Sequence, residues 1–107
     1  MNYIDFHAGN KDYKLRLNVR NTIALEKQLG QNPLTIFGNG DTLPTMTTMI
    51  SILHFSLQQY QHGITMNDAY DIFEEWLAEG NAITDFVPII IEIYKASGII
   101  KGETEKN

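Results

Sequence analysis

Fifteen residues from Met46 to Tyr60, MTTMISILHFSLQQY, contain no proline, no glycine and no formal charge. Met46, Met49, Ile50, Leu53, Leu57 and Tyr60 recur at three- and four-residue spacings, so a helix places them on one face. The back of that helix is not polar. At about 100° per residue, Ile52 and Phe55 fall off the main stripe, with Phe55 roughly opposite its centre. A helix apolar on both sides is either buried on both sides or keeps one face for another chain. Both readings stay open from the pattern, and either makes this helix the element around which the rest is arranged.

The 107 residues fit one domain over residues 1–100 with one modest core. Hydrophobic residues make up 43% and charged residues 20%, the balance of an ordinary globular chain. No apolar run approaches the roughly 18 residues a membrane span needs. The start, MNYIDFHAGN, lacks the basic and apolar regions of a signal peptide. Cysteine is absent, which excludes a disulfide framework and a thiolate metal site. Net charge is −5 and unevenly spread. Residues 1–30 hold five bases (Lys11, Lys14, Arg16, Arg20, Lys27) against three acids (Asp5, Asp12, Glu26). Residues 31–98 hold eight acids and one base, Lys95. An acidic body argues against binding nucleic acid through its phosphates. Opposite charge at the two ends suits head-to-tail self-association, although solubility alone accounts for an acidic body.

Residues 3–19 alternate as a β-hairpin. Ile4, Phe6 and Ala8, then Tyr13, Leu15, Leu17 and Val19, are the apolar positions, interrupted by Gly9-Asn10-Lys11-Asp12. A helix over about 19–29 follows, capped by Asn18 or Asn21 and stopped by Gly30. The connection 31–44 holds a turn cluster at Gly38–Asp41 and an apolar knot of Leu34, Ile36 and Phe37, with room for one helical turn from Pro33. The central helix is expected over about 45–62, with Pro44 suited to its first turn and Gly63 ending it. Thr65-Met66-Asn67-Asp68 resembles a capping box and opens a helix over 66–79. In that helix Ala69, Ile72, Phe73, Trp76 and Leu77 share one face, and Asp68, Asp71, Glu74, Glu75 and Glu79 the other. The last helix spans about 82–97, with Asn81 as a cap and Ile83, Phe86, Val87, Ile90 and Tyr94 as its stripe. Pro88 either kinks this helix or lies in the first turn of one that begins near Asp85. The polar tail 101–107 is expected to be disordered. The fold class is therefore α+β and predominantly helical: an N-terminal hairpin packed on a small bundle of about four helices.

Nothing in the sequence assembles catalytic chemistry, and no cofactor or metal is expected. His54 and His62 stand eight residues apart, too far to chelate a metal as a local pair, and no HExxH occurs. Asp71, Glu74 and Glu75 lie on the solvated side of an amphipathic helix, the opposite of the buried carboxylates that acid–base catalysis uses. The loop at Gly38–Asp41 lacks the Lys-Ser/Thr of a phosphate loop. The helical pair from His54 to Leu77 has the outline of a DNA reader, but its second helix is acidic on its outer face.

The run RNTIALEKQLGQNPLTIFG, followed by LPTMTTMISILHFSLQQYQHGITMNDAYDIFEEWL, resembles a known family. The likeness is carried by Leu25-Glu26-Lys27, Leu29-Gly30, Asn32-Pro33-Leu34, Leu43-Pro44, Leu53-His54 and His62-Gly63-Ile64, and it covers roughly residues 13–98. The family is that of the small tail assembly chaperones of long-tailed phages and Gram-positive prophages. The resemblance implies a mostly helical protein that binds and solubilises the tape measure protein and recruits tail tube protein around it. It implies work in the cytoplasm of the bacterial host and absence from the mature virion. A longer, frameshifted form is common in that family, and some members self-associate into arrays.

A protein that holds a client needs apolar surface outside its own core. The candidates for partner binding are Leu34, Ile36 and Phe37 in the connection and Met46, Met49, Ile52 and Phe55 on the central helix. Methionine suits irregular partners. The expected function is non-catalytic: a tail assembly chaperone, without nucleic acid or membrane as partner and with a homo-oligomer as a possible state. The alternatives are a homo-oligomeric structural or adaptor component of a phage particle, and a small transcriptional regulator.

Overall fold

The computed structural model describes residues 2–37 and 43–102. The expected turn cluster at Gly38–Asp41 and the end of the tail, 103–107, lie outside the described residues. Two antiparallel strands open the chain, β1 (Ile4–Ala8) and β2 (Lys11–Leu15). Their register pairs Ile4 with Leu15, Phe6 with Tyr13 and Ala8 with Lys11. Alternation then puts Phe6, Ala8, Tyr13 and Leu15 inside while Asp5, His7 and Lys14 face water. The tight turn depends on Gly9, whose φ is +60°. A Cβ there would sit 2.6 Å from Glu75 Oε1, and the Gly9 N–H donates to Glu79 Oε2 at 2.7 Å. Two of the carboxylates expected in open solvent thus stand against the hairpin turn.

Pairing stops at Leu15, and the rest of the expected strand is used differently. Leu17 is buried with its N–H donated to Ser97 Oγ at 2.8 Å. Val19 is the first residue of α1 (Val19–Leu29) and points outward. Asn18 is the cap, its side chain accepting from the Asn21 N–H at 2.8 Å. Gly30 closes α1 at φ +72°, its N–H donating to the Glu26 carbonyl. A 3-10 turn at Pro33–Phe37 follows and is fixed to the core by Tyr94, whose hydroxyl donates to the Pro33 carbonyl at 2.9 Å.

The central helix α2 (Met46–Leu57) is capped by Thr45, which accepts from the Thr48 N–H. It packs against α1, β2 and two later helices, α3 (Met66–Ala78) and α4 (Phe86–Ala96). It ends at Leu57, five residues short of the expected boundary. At that end its carbonyls also meet donors outside the helical ladder, one of them from the segment after β2. The Arg16 N–H takes the Ser56 carbonyl at 2.9 Å, Gln58 Nε2 takes that of His54 and Gln61 Nε2 that of Leu57. Gln61 also brackets the Lys14 backbone, accepting its N–H at 2.8 Å and donating to its carbonyl at 3.0 Å. Tyr60 consequently leaves the helical stripe and meets the Tyr3 ring edge-on at 5.4 Å.

The capping box of α3 forms with aspartate in the usual glutamate place: Thr65 Oγ1 accepts from the Asp68 N–H and Asp68 Oδ2 from the Thr65 N–H. Asn81 does not cap the last helix. Its amide donates to the Trp76 carbonyl at 2.8 Å and so finishes α3. A 3-10 turn at Ile83–Asp85 leads into α4, which puts Pro88 in the first turn of that helix, where its missing N–H costs no helical bond. Ile83, expected on the buried stripe, is exposed on that turn. Phe6, Phe73, Trp76 and Phe86 close the core between β1, α3 and α4, with ring centroids 5.3–6.1 Å apart. Lys101 and Gly102 are exposed and belong to no helix or strand.

The packing of α2 has a direct consequence. Ile52→Ala is expected to cost about 2–5 kcal/mol in urea unfolding, because it opens a cavity at a fully buried position. Leu34→Ala, on the surface, is expected to stay within about 0.5 kcal/mol.

Candidate functional site

The seven partner-binding candidates do not form one exposed patch. Met49 and Ile52 are in the core, Ile52 with 0% of its surface exposed, and Ile36 is buried with them. Phe37 is half-buried, its ring 6.4 Å from that of Tyr94. Phe55 is half-buried as well, packed on the core and edge-on to His54 at 4.6 Å. Only Leu34, at 46%, and Met46, at 40%, are open to a partner. On the back of α2, Ile52 is therefore core and Phe55 is packed against it with part of its surface left open. Helical periodicity separates the faces of a helix but does not say how many are covered; α1, α3, α4 and β2 together cover those of α2.

His54 is a half-buried polar side chain on that helix. Its Nε2 lies 3.2 Å from the Ile64 carbonyl, which can only accept, so Nε2 carries the proton. Nδ1 is buried with no hydrogen-bond partner among the described residues. Burial pushes this imidazole below its ordinary value of 6.5, outweighing the bond to Ile64, which raises it. His7 moves the other way, held up by its hydrogen bond to Asp12 at 2.8 Å on the hairpin surface.

Two surfaces not singled out by the sequence reading stand out. The first is on α1, where Val19 is 77% and Ile23 47% exposed. With Arg20, Ala24 and Lys27 they line a hollow of about 600 Å³. A second hollow of about 220 Å³ shares Val19 and Ile23 and adds Arg16, Leu17 and Ile99. The signal was present: Val19, Ile23 and Lys27 repeat every four residues, and Ile23 falls roughly 200° from the buried Leu25. The second surface is a cleft of about 520 Å³ between the hairpin turn and α3, bordered by Tyr13, Asp68, Asp71, Ile72 and Glu75. Burial, and after it Glu75 and Asp68, raise the Tyr13 hydroxyl. Bonds from Thr65 hold the Asp68 carboxyl below its usual range.

Among the described residues no group of three His, Asp or Glu side chains is placed to hold a metal ion. No described helix is long and apolar enough to cross a membrane. The protein is a small α+β domain, a two-stranded hairpin on a four-helix bundle, with one basic-apolar and one acidic surface. It belongs to the family of unknown function DUF6096, whose model matches residues 4–107. No curated protein and no solved structure matches the chain.

The His54 geometry sets a pH dependence. The unfolded chain binds a proton at this imidazole more readily than the folded one. Its contribution to stability is thus complete above about pH 6.5 and is lost as pH falls below that value. Thermal melts at about pH 7.5 and about pH 5.5 are expected to show a smaller drop in Tm for His54→Gln than for the wild type.

Proposed function

We propose that this protein is a tail assembly chaperone of a long-tailed phage or prophage. In this reading it works in the host cytoplasm, binds a tape measure protein, helps recruit tail tube subunits, and leaves before the virion is mature. It uses no cofactor and carries out no chemical step. The sequence likeness over residues 13–98 suggests the reading. The observation that carries it furthest is the spare apolar surface: Val19, Ile23, Leu34, Leu43 and Met46 stay exposed although the core is already filled. Exposed apolar side chains on a small acidic protein suit the capture of an insoluble client while the complex stays in solution.

A second reading, a homo-oligomeric component of the particle, is favoured by the contrast between the basic α1 surface and the acidic cleft at α3. Co-expression with a tape measure protein separates the two. A chaperone is expected to raise the soluble fraction of that product and to co-purify with it, yet be absent from finished particles. Absence of both rescue and complex, with the protein present in purified particles, would establish the structural role instead. Met46→Asp and Leu34→Asp are expected to keep the wild-type melting temperature and reduce capture of the client. Met49→Asp is expected to unfold the protein, because it buries an unpaired carboxylate.

A further inference from the structure

We propose that the outer face of α1 docks an amphipathic helix of a partner chain, one that carries acidic residues beside its apolar stripe. This rests on the reading of the protein as a non-catalytic binder, not on the identity of its client. The two hollows that share Val19 and Ile23 make one apolar strip along α1 and past Ile99. Its 11 residues rise about 16 Å, enough for three turns of a docked helix. The charged groups lining the strip are Arg16, Arg20 and Lys27, and no acid lines it.

None of these three bases has an ion pair among the described residues. Arg16 is held by one long bond, Nη1 to Gln59 Oε1 at 3.2 Å, and its buried Nε–H has no acceptor among the described residues. A guanidinium so weakly held can turn toward an arriving carboxylate, which accepts two N–H groups at once. An apolar floor flanked by unpaired bases therefore selects a ligand with an apolar ridge flanked by acids.

A second copy of this chain offers only half of that. The outer face of its α3 carries Asp71, Glu74 and Glu75, but Ala69, Ile72, Phe73 and Trp76 are buried in its own core. Tyr70 is the large apolar side chain left on that face. On α3 the acids are available and the ridge is not, so that helix of a second copy does not supply the complement, and the occupant proposed is a helix of a different protein.

The test is fluorescence anisotropy with the full chain and a labelled synthetic helix of about 18 residues, long enough to be helical in water. One version has leucines at helical spacing flanked by glutamates, the other the same leucines flanked by lysines. The glutamate helix is expected to bind about tenfold tighter at low salt, with the gap closing as salt rises. Ile23→Asp is expected to abolish its binding. The paired change Arg20→Glu and Lys27→Glu, at exposed positions, is expected to reverse the preference with the melting temperature unchanged. Equal affinity for the two helices, or full binding by Ile23→Asp, would overturn the proposal. Self-association that Ile23→Asp removes would also overturn it and assign the face to a second copy. If Ile23→Asp loses the glutamate helix but still co-purifies with the tape measure protein, the α1 face takes a partner other than that client and both readings stand; if it binds the helix as the wild type does, this surface falls whatever the client.

Discussion

An uncharged helix is stable in water only where other elements cover it, and that requirement organises this protein. Met49, Ile52, Leu53 and Leu57 of α2 are each at 1% exposure or less. Burying each such side chain is worth about 1.5–3 kcal/mol. The only fully buried polar side chains in the core, Ser51 and Ser56 among the described residues, belong to α2 as well. Ser56 meets the cost of burial by donating to the Leu53 carbonyl at 3.0 Å. No charged group has to be accommodated, so α1, α3, α4 and β2 can all approach the helix. The hairpin has an apolar face that a two-stranded sheet cannot shield by itself, and the bundle supplies the missing cover. The helix and the hairpin therefore solve each other's exposure.

Much of this was legible because the signals are local. The alternation of Phe6, Ala8, Tyr13 and Leu15 specifies a hairpin, and the capping box at Thr65–Asp68 specifies where α3 begins. Gly30 and Gly80 stop their helices with positive φ as their type suggests. The boundaries that moved did so for non-local reasons. Nothing near Gln61 in sequence indicates that its amide will bind the Lys14 backbone, 47 residues away, and draw the chain out of α2. Nothing near Leu17 indicates that its N–H will meet Ser97 and that Val19 will begin a helix.

The binding surface was less legible than the fold, and the reason is geometric. An apolar residue in a connection or on the back of a helix looks spare until the third dimension is known. Ile36 and Phe37 were legible as a knot, but only the Tyr94 ring and hydroxyl show that the knot is pinned to α4. Ile52 looked spare because α2 has an obvious stripe elsewhere. Conversely, Ile23, Leu25 and Leu29 are all apolar residues of one short helix, and their presence alone does not say which of them is covered. The short α1 follows the hairpin directly and packs mainly on α2, and Leu25 alone of it is fully buried.

Charge completes the argument. Arg16, Arg20 and Lys27 gather around α1, and the acids of residues 68–79 lie on α3 and its end. Both helices pack on α2, so the uncharged helix separates two surfaces of opposite sign. A Debye length at physiological salt is about 8 Å, short enough for each surface to act on a partner without the other cancelling it. The acidic surface is shaped by bonds within the chain: Glu79 to the Gly9 N–H and Asp68 to the Thr65 N–H. The basic surface has one such bond among the described residues, from Arg16 Nη1 to Gln59 Oε1 at 3.2 Å, and no ion pair. Of the two, it is the one with unspent hydrogen-bonding and charge capacity, set beside Val19, the most exposed large apolar side chain among the described residues. That asymmetry makes α1 the face with most to gain from a second molecule.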